Sequence, residues 1–155
     1  MIPASSFDFY NDEDPLHKNA KGYFKYFLEN EILLKVSTIS IAEYCVKGKI
    51  DELPLRNLQI IPFNLDHAQR TGEFAEAIFE ENKISNEKLT PRAIIPNDSK
   101  LFAQADLDKG IIQFVTSDAR TKNTIAALKK RITPKFDIID ISRPYSETFG
   151  ILDFD

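Results

Sequence analysis

Ile111-Ile112-Gln113-Phe114-Val115-Thr116-Ser117-Asp118 is the stretch on which the reading of this chain turns. A short apolar run, rich in β-branched and aromatic residues and ending in a polar exit, has the pattern of a buried strand. Asp118 stands at the C-terminal end of that strand, the edge at which open α/β sheets build their ligand sites. Downstream, Ile125, Leu128 and Ile132 recur at helical spacing. Upstream, a helical pattern from Asp98 to Lys109 is closed by Gly110. A helix, a buried strand and a second helix in succession imply parallel strands joined by helical crossovers.

The alternation continues towards the N-terminus. Between Asp14 and Glu29, the residues Leu16, Ala20, Tyr23, Phe24, Phe27 and Leu28 predict an amphipathic helix with an aromatic stripe. Ile32 to Val36 and Leu58 to Phe63 read as strands. Between them lies a helix capped by Thr38 or Ser40, with Ser40 and Glu43 at capping-box spacing, that ends at Gly48. Asp66 opens a long helix carrying Ala68, Phe74, Ala75, Ile78 and Phe79, residues 81–92 form a polar loop, and Phe136 to Ile141 is the last strand. The expected architecture is α/β, a central and mainly parallel sheet flanked by helices. One domain occupies residues 1–142. Residues 143–155, with Phe149, Ile151, Leu152 and Phe154, form a tail that packs on the domain or on a partner.

Composition limits the function classes. The chain has 155 residues, 43% hydrophobic and 28% charged, a balance that suits one globular core rather than disorder. A net charge of −4 argues against a protein that coats nucleic acid non-specifically. The single cysteine, Cys45, fits a reducing, cytoplasmic setting. Met1–Ser6 lacks the regions of a signal peptide, and no apolar run nears the ~20 residues of a membrane span. His17 and His67 lie on separate predicted helices, which disfavours zinc, and no glycine-rich phosphate loop is present.

Three carboxylates stand at element ends: Glu43, Asp98 and Asp118. Each has an ordinary structural role open to it, as a capping-box residue or a helix N-terminal charge. Together they would be costly neighbours without a cation, and hard oxygen ligands suit Mg²⁺ or Mn²⁺ facing phosphate. After Asp118 comes a run of bases without an acid: Arg120, Lys122, Lys129, Lys130, Arg131 and Lys135. It is either a solvated helix face or a flank that contacts phosphate.

In order and setting, Ser37–Tyr44, Asp98–Ala105 and Val115–Asp118 resemble the motifs of PIN-domain ribonucleases of the VapC-type toxins. The resemblance covers nearly the whole chain and implies a PIN-like three-layer fold. It also implies a Mg²⁺- or Mn²⁺-dependent endoribonuclease that hydrolyses RNA phosphodiester bonds, with Glu43, Asp98 and Asp118 holding the cation. Ser5 would lie beside the site, and Arg120 and Lys122 would contact substrate phosphate. An antitoxin protein and a second copy of the chain are the implied protein partners. One position departs from the pattern: Pro3 stands where the family carries its first metal-binding aspartate. A site with one carboxylate fewer holds its cation weakly, so the alternative is a catalytically silent PIN module that binds RNA or a protein.

Overall fold

The computed structural model describes residues 14–84 and 97–151. Pro3, Ser5, most of the polar loop, Leu152 and Phe154 lie outside them. The described elements run α1 (Pro15–Glu29), β1 (Lys35–Ser37), α2 (Thr38–Tyr44), β2 (Gln59–Ile61), α3 (Leu65–Ile84), α4 (Asn97–Leu107), β3 (Gln113–Thr116), α5 (Ala119–Lys129), β4 (Asp137–Asp140) and α6 (Tyr145–Phe149). Two single 3₁₀ turns, Ile50–Glu52 and Leu55–Asn57, join α2 to β2.

The chain is α/β, with helix dominant. In place of the single central sheet expected from the sequence, the described strands form two pairs, β1–β2 and β3–β4. The first is parallel, with Val36 opposite Ile60. In the second, the carbonyls of Ile112 and Thr116 accept from the amides of Asp137 and Ile141, so both strands advance in the same sense. No helix of the described residues is long and apolar enough to cross a membrane.

Two compact units divide the chain. One contains the residues through Ile61, Val115–Ser117 and Ile139 onward; the other contains Pro62–Phe114 and Asp118–Ile138. In the first, Tyr23 and Phe27 of α1 pack with Leu34, Val36, Leu53, Leu58, Val115, Ile139 and Ile141. Helix α6 closes on this core. Phe149 stacks on Tyr26 with ring centroids 4.5 Å apart, and the Tyr23 hydroxyl hydrogen-bonds Thr148. In the second unit Phe102, Phe114 and Phe136 form a triangle with centroids 5.2 to 5.9 Å apart, and Phe74, Ile78, Ile125 and Leu128 of the same unit are also buried.

Several expectations shift at element ends. The buried stripe of α1 is narrower than its apolar pattern, because Leu16 and Leu28 are exposed while His17 is buried. The strand expected from Ile32 begins at Lys35, since α1 ends in a Schellman closure. There the amides of Glu31 and Ile32 donate to the carbonyls of Leu28 and Phe27, and Glu31 sits in the left-handed region at φ 54°. Helix α2 is capped by Ser37, whose hydroxyl accepts from the amide of Ile39, and not by Thr38 or Ser40. It ends at Tyr44, short of Gly48. Gly48 is required by contact rather than by a left-handed turn, because a Cβ there would strike the Tyr44 ring. Residues 81–84 belong to α3 instead of the polar loop.

Candidate functional site

Asp118 leaves β3 and becomes the N-cap of α5. Its backbone is still extended (φ −77°, ψ 122°), as at an N-cap, and its Oδ1 accepts from the Arg120 amide at 2.8 Å. A carboxylate in this place satisfies an orphan amide and meets the positive end of the helix. Asp98 lies in the first turn of α4 and is half-buried. The two meet at Thr121, one turn into α5 and buried: its Oγ1 lies 3.0 Å from Asp98 Oδ1 and 3.5 Å from Asp118 Oδ2. The two carboxylates therefore face the same hydroxyl from two different helices.

Glu43 is exposed on α2, in the other compact unit. With the cap at Ser37, it does not have the capping-box role that its spacing to Ser40 suggested. Among the described residues, no three His, Cys, Asp or Glu side chains gather to hold a metal ion. The pair still offers hard oxygen donors of the kind Mg²⁺ and Mn²⁺ take, and Mg²⁺ is commonly held by one or two carboxylates together with substrate phosphate.

The basic run after Asp118 divides in two. Lys130 and Arg131 turn to Glu81 of α3, at 2.7 and 3.5 Å, and Lys129 lies 4.0 Å from Asp137. The Lys130 hydrogen bond, with Arg131 beside it, holds the Glu81 carboxyl below the usual glutamate range. Two of the six bases of the expected phosphate flank thus tie the end of α5 to α3, and a third turns to β4. Arg120, exposed, and Lys122, half-buried, lie on the first turn of α5, beside the carboxylate pair. Ser5 lies outside the described residues.

Thr121 was missed by the sequence reading. A signal was present in Asp118-Ala119-Arg120-Thr121, a helix start with a hydroxyl at the third helical position, from which a side chain can reach back to its own cap. The chain matches no protein-family model, no curated protein and no solved structure.

Proposed function

We propose that this chain is a PIN-like endoribonuclease dependent on Mg²⁺ or Mn²⁺, its cation shared between the Asp98–Asp118 pair and a phosphate of single-stranded RNA. The observation that carries the reading is the convergence of these two carboxylates on Thr121, one from a helix start and one from a strand exit. Both are positions that the sequence resemblance had named. Glu43 and Ser5 enter the proposal from that resemblance alone, as do the three-layer form of the fold, an antitoxin partner and a homodimer; a cytoplasmic setting enters from the single cysteine.

Within this reading Asp98 and Asp118 hold the cation, and Arg120 and Lys122 draw in the RNA backbone by charge. When bound, the cation would supply charge stabilisation to the phosphate oxygens as the phosphodiester is attacked. Asp118 has two roles, because the residue that would ligate the ion also starts the helix that carries the two bases.

The test is cleavage of structured and unstructured RNA with Mg²⁺ or Mn²⁺, with Asp118→Asn as the control. Asparagine is as good an N-cap as aspartate, so the variant keeps α5 and removes the charge. Metal-dependent cutting lost in Asp118→Asn is the expected result. Cutting that persists in the variant rejects the assignment.

Pro3 favours a second reading, a PIN module that binds RNA or a protein without cutting, since proline cannot replace the missing carboxylate. Retention of RNA on the protein, with no cleavage in any metal, selects it.

A further inference from the structure

We infer that the outer face of α1, beside α6, is a docking surface for single-stranded RNA, with Lys18, Lys21 and Lys25 on its phosphates and the Tyr145 ring against a base. This goes beyond the cleavage reading and does not require the cation pair. Spacings of three and four put the three lysines in one stripe about 10 Å long, and all three are exposed. His17, Ala20, Tyr23 and Phe27 form the buried side of the same helix. The whole chain carries a charge of −4, so this gathering of bases is local. Glu29 is the one acid of α1, and it lies 3.7 Å from Lys25. The two side chains are 75% and 62% exposed, so water screens the pair and leaves Lys25 able to meet a phosphate.

Gly22 brings an aromatic ring beside the stripe. A glycine inside a helix is destabilising, and here its missing side chain makes room. A Cβ at Gly22 would stand 2.9 Å from Tyr145 Cδ1, so the ring of α6 lies against the backbone of α1 between Lys18 and Lys25. Tyr145 is half-buried, and its ring is 5.5 Å from that of Tyr26 at a tilt of 31°. Asn19 donates to the Ser142 carbonyl at 3.0 Å and holds the approach to α6 on the same helix. Lysines that track a backbone, set around a partly open ring, have the chemistry of single-strand sites, where rings accept bases of any sequence.

The acids near α6 bear on the other side of α1. Burial, with Asp140 and Glu147 adding to it, holds the Tyr23 hydroxyl above its ordinary pKa. Tyr23 stands two residues from Lys21 and from Lys25, which turns it away from both. A lipid surface matches less well than RNA. A membrane-surface helix inserts its apolar face, and α1 has already spent that face on the core.

The experiment is fluorescence anisotropy of a labelled oligouridylate of about 12 nucleotides with the full chain, between about 50 and 200 mM salt. EDTA is present throughout, so this test and the cleavage test can fail separately. Each phosphate contact adds about 0.7 to the slope of log affinity against log salt. Lys18→Gln, Lys21→Gln and Lys25→Gln should each lower the slope by about that amount. Tyr145→Leu keeps an apolar side chain beside Gly22 and removes the ring; it should weaken binding about 5- to 150-fold and leave the slope unchanged. Arg120→Gln is the comparison. A loss confined to it, with the lysine variants equal to wild type, overturns the inference and leaves the start of α5 as the RNA contact. Tyr145→Leu equal to wild type also overturns it, since the face would then read charge alone. So does a wild type that does not bind, or one that binds phosphatidylserine vesicles in place of the oligouridylate. If Tyr145→Leu does not fold, competition by inorganic polyphosphate takes its place, and polyphosphate as effective per phosphate as the oligouridylate overturns the inference.

Discussion

Arg70 of α3 seals Asp106 of α4 inside its unit, with Nε and Nη2 both reaching Asp106 Oδ2, at 2.9 and 2.8 Å. The other oxygen, Oδ1, accepts the Lys135 backbone amide at 2.8 Å, and Asp106 is 2% exposed. Arg70 also lies over the Phe74 ring at 4.4 Å and pairs with Glu73. Burial disfavours its charge, but the hydrogen bonds to Glu73 and Asp106 outweigh that and hold Arg70 above its ordinary pKa. One carboxylate thus fastens two helices and the approach to β4. Asp106→Ala should cost about 3 kcal/mol, because it strands a half-buried guanidinium and a backbone amide together. Urea unfolding measures it; a loss under about 1 kcal/mol would show that Glu73 and water replace the contact.

The Glu81 clamp gives a pH dependence with a definite sign. Its carboxyl titrates below the usual range in the folded chain, chiefly through the Lys130 hydrogen bond. The stability it contributes is therefore fully present above the ordinary glutamate pKa and fades as pH falls through the lowered folded value. Melting temperatures of wild type and Glu81→Gln should differ at pH 7 and converge towards about pH 3. A difference that stays constant over that range would mean that the pair contributes through packing alone.

Glu31 occupies the position in a Schellman closure where glycine is usual. A side chain in the left-handed region costs on the order of 1 kcal/mol, only partly offset by the looser unfolded chain that glycine brings. Glu31→Gly should raise stability by about 0.5 kcal/mol, and Glu31→Ala should not. Chemical denaturation of the three proteins side by side decides it, and equal gains in both variants would point to the lost charge instead.

Ser40 and Ser99 are buried, and their hydroxyls have no hydrogen-bond partner. A buried donor without an acceptor is destabilising, and alanine is the better helix former. Ser40→Ala and Ser99→Ala should each be neutral to about 1 kcal/mol more stable. A loss of more than that in calorimetry would reveal a partner for the hydroxyl, and at Ser99, next to Asp98, it would bear on the candidate site.

Element existence was readable from the chain, and element ends less so. The helices on either side of β3 stand where apolar periodicity placed them, and β3 itself forms there, from Gln113 instead of Ile111. Ile32 and Leu33 looked like strand because hydrophobicity carries no notice of a helix closure. The backbone bonds from Glu31 and Ile32 back to α1 consume those residues first. Ser37, Thr38 and Ser40 are all chemically able to cap, and composition could not choose between them; the extended backbone at Ser37 does. In the candidate site, Asp98 and Asp118 were legible as helix-start and strand-exit carboxylates. Thr121 was not, because its neighbours across α4 are 23 residues away in the chain. The basic run misled in part, since acids distant in sequence, Glu81 above all, claim Lys130 and Arg131.

The contact between Tyr23 and Thr148 joins residues 125 positions apart, and it has a consequence for the order in which a ribosome can complete this protein. The unit that holds α1 needs Val115–Ser117 and everything from Ile139 on, whereas the Pro62–Ile138 unit is nearly continuous in the chain. During synthesis the second can close while the first still waits for its last strand and α6. Until then the aromatic face of α1 is uncovered, and the nascent chain passes through a window in which Tyr26 and Phe27 are open to chaperones or to other chains. A product lacking α6 would keep the chain of the Pro62–Ile138 unit but leave the Tyr23 and Tyr26 rings without their Thr148 and Phe149 partners.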